Sequence, residues 1–172
     1  MAVNAALAAL IAGGSSAVSA ASADGSATAT VIEPVSVTET TPLAFGSLAV
    51  GAGGGDVIID TAGTATSSGD VELISSSTTS QATFTITGEP DAAITVSLDG
   101  TGAQLDDGTP GGDGTPMQLG GLTDSGLPAT LTGGSVTFDV GATLTVNANQ
   151  APGAYSTATG DGSPYSVTVN YQ

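Results

Sequence analysis

The sequence predicts an all-β protein, a β-sandwich with Greek-key connections, and three observations carry that expectation. From Asp24 onward apolar residues alternate with Thr or Ser in run after run, the period-two pattern of strands with one face buried. Clusters of Gly, Pro, Asp and Ser separate those runs at roughly 10-residue spacing, as in a sandwich rather than a βαβ fold. No stretch after residue 23 carries a helical period.

In chain order the first alternating run is Ala27, Ala29 and Val31 interleaved with Thr28, Thr30 and Ile32. Pro34 then interrupts it, because proline has no N–H to give to a ladder. Runs follow at 35–38, 57–60, 71–74, 82–87, 94–98, 135–140, 142–147 and 165–171. Turn chemistry lies between them: the glycines of 51–55, Asp99-Gly100, Gly133-Gly134, Pro152-Gly153 and the Asp161 to Pro164 segment. The spacing is that of one domain over 35–172.

Composition narrows the function. Among 172 residues there are 16 carboxylates and no Lys, Arg, His, Cys or Trp, for a formal charge of −16. Without His or Cys there is no Ser-His-Asp triad, thiol nucleophile or nitrogen or sulfur ligand for zinc. Without Lys or Arg nothing neutralises phosphate, so nucleic acid and anionic membrane surfaces are repelled. The expectation is a non-enzyme. A hydrophobic share of 40% nevertheless supplies a core, which separates the chain from charged disordered sequences.

Residues 1–23 are uncharged, with an apolar stretch at 5–12 and small residues before Asp24. They read as a signal peptide or a retained N-terminal extension, too short for a membrane span, and a signal would make the protein secreted. A signal peptide ordinarily starts with Lys or Arg, which this segment lacks.

The segment 100–116 reads as a long loop. It holds the near-repeat Asp107-Gly-Thr-Pro and Asp113-Gly-Thr-Pro, with Asp106 beside the first copy. Asp106, Asp107 and Asp113 among backbone carbonyls form a candidate Ca²⁺ site, since that ion takes six to eight oxygens. The loop lacks the spacing of an EF-hand, and the pattern reads more readily as a solvated insertion between two strands. Carboxylate pairs such as Asp56 with Asp60 fall short of glycosidase chemistry without aromatic platforms for a sugar.

Several spaced motifs carry a family likeness: Ala27 to Val37, Leu43-Ala-Phe-Gly, Ser77 to Pro90, Val140 to Val146, Gln150 to Tyr155 and the closing Val167-Thr-Val-Asn-Tyr. Over 25–172 the chain resembles an uncharacterised family of secreted bacterial all-β domains. That family is similar to spore coat protein U and the archaic chaperone–usher pilins. The resemblance implies a pilin-like, immunoglobulin-like Greek-key sandwich lacking one strand, completed by a donor strand from a neighbouring subunit. It further implies a homopolymer at the cell surface, a periplasmic chaperone and an outer-membrane usher. Spore coat U domains commonly carry a disulfide, which this chain cannot form.

On that reading residues 24–34 are the candidate donor, with Gly25, Ala27, Ala29 and Val31 on one face and residues 25–32 uncharged, as a donor for β-augmentation requires. The same residues also read as the first strand of a self-complete sandwich. Tyr165, Val167, Val169 and Tyr171 form the candidate C-terminal strand, which resembles the strand of chaperone–usher subunits that a periplasmic chaperone holds by edge pairing. The expected function is therefore a structural subunit of an extracellular filament. The alternative is a secreted monomeric binding module or adhesin that uses Ca²⁺.

Overall fold

The computed structural model describes residues 21–109 and 115–172. Eleven strands are described: β1 (Ser36–Thr41), β2 (Leu48–Val50), β3 (Gly55–Ile59), β4 (Ala65–Ser67), β5 (Val71–Leu73), β6 (Ala82–Thr87), β7 (Ile94–Asp99), β8 (Gln104–Leu105), β9 (Met117–Asp124), β10 (Ser135–Val146) and β11 (Ser166–Tyr171). The only helical element among them is a single 3₁₀ turn, Thr132–Gly134. The protein is an all-β sandwich.

Its larger sheet runs β1-β6-β10-β3-β4, with β9 on the other side of β10 and β8 beyond β9. The organising element is β10. Its first half pairs with β6, from Ser135 opposite Thr87 to Val140 opposite Ala82. Its second half pairs on the same edge with β3, and β9 lines the opposite edge from Val140 to Thr145. The facing layer is split: β7 pairs with β11, and β2 pairs with β5.

Two apolar clusters fill the space between the layers. In one, Val57, Ile59, Leu119 and Leu144 of the large sheet meet Val71, Leu48 and Val50 of the β2/β5 pair. In the other, Phe84, Ile86, Phe138 and Val140 meet Ile94, Val96 and Val169 of the β7/β11 pair. Residues such as Ile59, Ile86 and Leu144 lose essentially all contact with water. Each is worth about 1.5–3 kcal/mol of burial.

Run 82–87 becomes β6 residue for residue, its buried Ala82, Phe84 and Ile86 alternating with Thr. The runs at 135–140 and 142–147 join into the single strand β10, because Gly141 lets the chain continue without a break. A Cβ at Gly141 would meet the Ile59 carbonyl and lie 2.9 Å from the Asp60 backbone, so the neighbouring strand β3 requires glycine there. Strand β9 falls where the sequence pattern shows none. Between Gly120 and Thr123 it carries one residue more than β10, with Gly121 at φ 54°, a glycine bulge that breaks the alternation. The segment 100–116 is not one uninterrupted loop either, since it contains β8.

Lacking cations, the carboxylates take hydroxyls and backbone N–H groups as partners. Thr83 donates to Asp139 Oδ1 at 2.7 Å and Thr145 donates to Asp56 Oδ1 at 2.8 Å. Asp60 Oδ1 accepts the N–H groups of Ala62 and Thr64, closing the turn between β3 and β4. Such charge-assisted bonds are the stronger kind.

Residues 21–32 carry no strand, and their side chains are exposed. Among the described residues no helix is long and apolar enough to cross a membrane.

Candidate functional site

The first and last strands leave an open seam. Among the described residues strand β1 is bonded only to β6, and β11 only to β7. The two run in opposite directions and pass within 8 Å of each other, Cα to Cα, without exchanging ladder bonds. Val35 and Val37 on one side and Val167, Val169 and Tyr171 on the other pack against the second cluster but stay only half-buried. Four of the five are alternate valines, the residues a strand presents to a core, and here they are short of cover.

Tyrosine hydroxyls tie the seam at both ends. At one end Tyr171 donates to the Glu33 carbonyl at 2.7 Å and accepts the Glu89 N–H at 2.7 Å. That end is tight: a Cβ on buried Gly88 would meet the Tyr171 hydroxyl and lie 3.1 Å from Leu131. At the other end Tyr165 donates to Glu39 Oε1 at 3.0 Å, and its ring stands edge-on to Phe84 at 6.2 Å. Glu39 pairs with Phe84 across the β1–β6 ladder, so it occupies the core-facing side of an edge strand. Glu39 is itself exposed, and a charge on an edge strand discourages indiscriminate edge pairing.

Burial, and secondarily the Glu39 carboxylate, push the Tyr165 phenol above its ordinary value. A raised phenol value means that the fold favours the protonated form. Its contribution is complete below the unfolded value of about 10 and fades as pH climbs from there toward the folded value. Thermal melts between about pH 9 and pH 11 should therefore show a shallower alkaline decline in Tyr165→Phe than in the parent.

Beside Tyr165 lies a cavity of about 340 Å³ whose lining includes Leu43, Phe45, Phe84, Leu105 and Tyr155. The seam thus widens from the Tyr171 end to the Tyr165 end.

The candidate donor residues Gly25, Ala27, Ala29 and Val31 are all exposed, Val31 at 94%. Of the candidate metal ligands, Asp106 is 8% exposed, and its Oδ2 already accepts the N–H groups of Gly108 and Asp161 at 3.1 and 3.0 Å. It ties 106–109 to the segment around Ser156, with which its backbone exchanges two bonds. Asp107 Oδ1 accepts the Thr109 N–H at 2.9 Å, and Asp113 lies outside the described residues. Among the described residues no three acidic side chains are grouped to hold a metal ion.

Sequence alone marks Tyr165, Val167, Val169 and Tyr171 as one strand. It does not reveal Glu33, Glu39, Gly88 or Leu43 as their neighbours, since Glu39 and Tyr165 stand 126 positions apart. No curated protein and no solved structure matches this chain. One family model matches residues 35–171, most of the chain, under the description "Domain of unknown function (DUF4402)". The chain belongs to that family of domains.

Proposed function

We propose that this protein is the structural subunit of an extracellular filament, joined to its neighbour by strand exchange through residues 24–34. The carrying observation is the pairing of a need with a supply. Strands β1 and β11 hold unpaired edges over half-buried valines. The same chain owns an exposed, strand-patterned segment outside the sheets, uncharged over residues 25–32. The secreted location, and a chaperone and usher to handle the subunit, come with the likeness to pilins.

Size matching orients the donor. The segments 25–31 and 165–171 are each seven residues, about 20 Å when extended. Antiparallel to β11, the donor brings Val31 to the wide end beside Tyr165 and Gly25 to the tight end beside Tyr171. The reverse direction would leave the cavity facing glycine and drive valine against Gly88. Insertion must open the Tyr165–Glu39 and Tyr171–Glu33 bonds, a cost of about 1.5–3 kcal/mol for the charged acceptor and about 1 kcal/mol for the carbonyl. New ladder bonds at about 1 kcal/mol each, plus burial of the valines, outweigh it.

Negative-stain electron microscopy with an unheated gel tests polymerisation: filaments and a ladder that collapses on boiling are expected. The absence of native Cys makes oxidative crosslinking unambiguous. The exposed pair Thr30→Cys with Ser166→Cys should link neighbouring subunits. Linkage through Thr30→Cys with Asn170→Cys instead would reverse the direction and leave strand exchange intact. Dispersed subunits, with neither pair linked between chains, would sink the proposal.

A further inference from the structure

A second seam lies between β7 and β9. Beyond Leu119, whose N–H reaches the Ala103 carbonyl, the edge of β9 facing away from β10 has no ladder partner over 120–124 among the described residues. The edge of β7 facing away from β11 is likewise unpaired after Ile94, whose N–H goes to Ala129. A depression of about 610 Å³ lies between these edges, floored by Leu98, Leu122 and Leu127. Leu127 is 38% exposed, among the most exposed large apolar side chains of the protein. Gly100, Gly120 and Gly121 also line it, so no side chain screens the backbone at those positions. Asp99 and Asp124 complete the lining.

We propose that this seam docks an extended segment of a different protein, one that carries Lys or Arg beside apolar residues. The unpaired edge calls for a strand, because only a strand supplies a row of N–H and C=O groups in register. The leucine floor calls for apolar side chains at alternate positions. The two carboxylates call for cations. Their N–H partners, Thr101 at 2.8 Å and Gly126 at 2.9 Å, each engage a single carboxylate oxygen. That last requirement excludes a second copy of this chain, which contains no Lys or Arg. The partner is therefore heterologous, and the seam is independent of the one between β1 and β11.

The test uses two capped synthetic heptapeptides, alternating Val with Lys or Val with Glu, titrated into the full chain with amide shifts recorded by NMR. The Val-Lys peptide should perturb amides over 95–100 and 120–124, and the Val-Glu peptide should not. Asp99→Asn with Asp124→Asn keeps an acceptor for each turn N–H and removes the charge. It should weaken binding by about three- to tenfold, the scale of two partly exposed ion pairs. Asp56→Asn with Asp139→Asn, on the outer face of the large sheet, should leave binding unchanged. Equal weakening by both double variants, shifts spread over the whole surface, or no binding of the Val-Lys peptide would each overturn the proposal.

Discussion

Ala29→Asp should abolish assembly while leaving the melting temperature of the isolated subunit unchanged. Ala29 is exposed in the subunit and has no strand around it, so a carboxylate there meets only water. On the proposed exchange the same position would fall opposite Val167 of the neighbour, beside valines of β1 and β11 that are half-buried in the single chain. An unpaired carboxylate forced into that setting costs several kcal/mol, and this chain has no cation to offer it. At about 1.4 kcal/mol per tenfold, the assembly constant should fall by at least about a hundredfold. Thr28→Asp, on the outward face of the donor, should be tolerated, since its charge would stay in solvent. Sedimentation of the two variants side by side decides the matter: equal loss in both would mean that added charge alone blocks assembly, with no insertion of the Ala29 face.

Phe84→Ala should produce the largest loss of subunit stability, about 3–5 kcal/mol. Phe84 is 8% exposed, stacks on Phe138 at 5.6 Å and takes the edge of Tyr165 at 6.2 Å. Its removal leaves a cavity where the large sheet meets β11. It also deletes two aromatic contacts worth about 0.5–1.5 kcal/mol each beyond burial. With no disulfide or ion pair in reserve, that is a large share of the 5–15 kcal/mol typical of a domain. Denaturant unfolding of parent and variant measures it, and a loss below about 1 kcal/mol would show that Tyr165 and Phe138 close over the gap.

The contrast between β6 and β9 explains what was legible in the sequence. Strand β6 buries Ala82, Phe84 and Ile86 and exposes or half-exposes the Thr between them, so the pleat is written directly in residue types. Strand β9 buries Met117 and Leu119, then shifts phase at Gly120 and Gly121, where no side chain reports a face. Strands β2, β4 and β8 have two or three residues, too few for a period to repeat. One half of the β1/β11 seam was visible for the same reason as β6, since Val167 and Val169 alternate with Thr168 and Asn170. The other half was hidden, because the positions of Glu39, Gly88 and the cavity depend on which strand ends up beside which. Local pattern holds no record of that choice. Asp106 illustrates a further gap: an acidic loop looks alike in sequence whether its carboxylates await an ion or tie down a turn. Here the Asp106 Oδ2 takes two backbone N–H groups.

Strand β10 contributes side chains to both apolar clusters, Phe138 and Val140 to one, Leu144 and Val146 to the other. Neither half of the sandwich can therefore melt alone. Loss of β3 would leave the second half of β10 bonded to β9 alone, and loss of the β2/β5 pair would uncover its cluster, while loss of β6 would leave the first half without a ladder partner. One continuous strand makes two small cores behave as a single cooperative unit, so the subunit is either folded throughout or not at all.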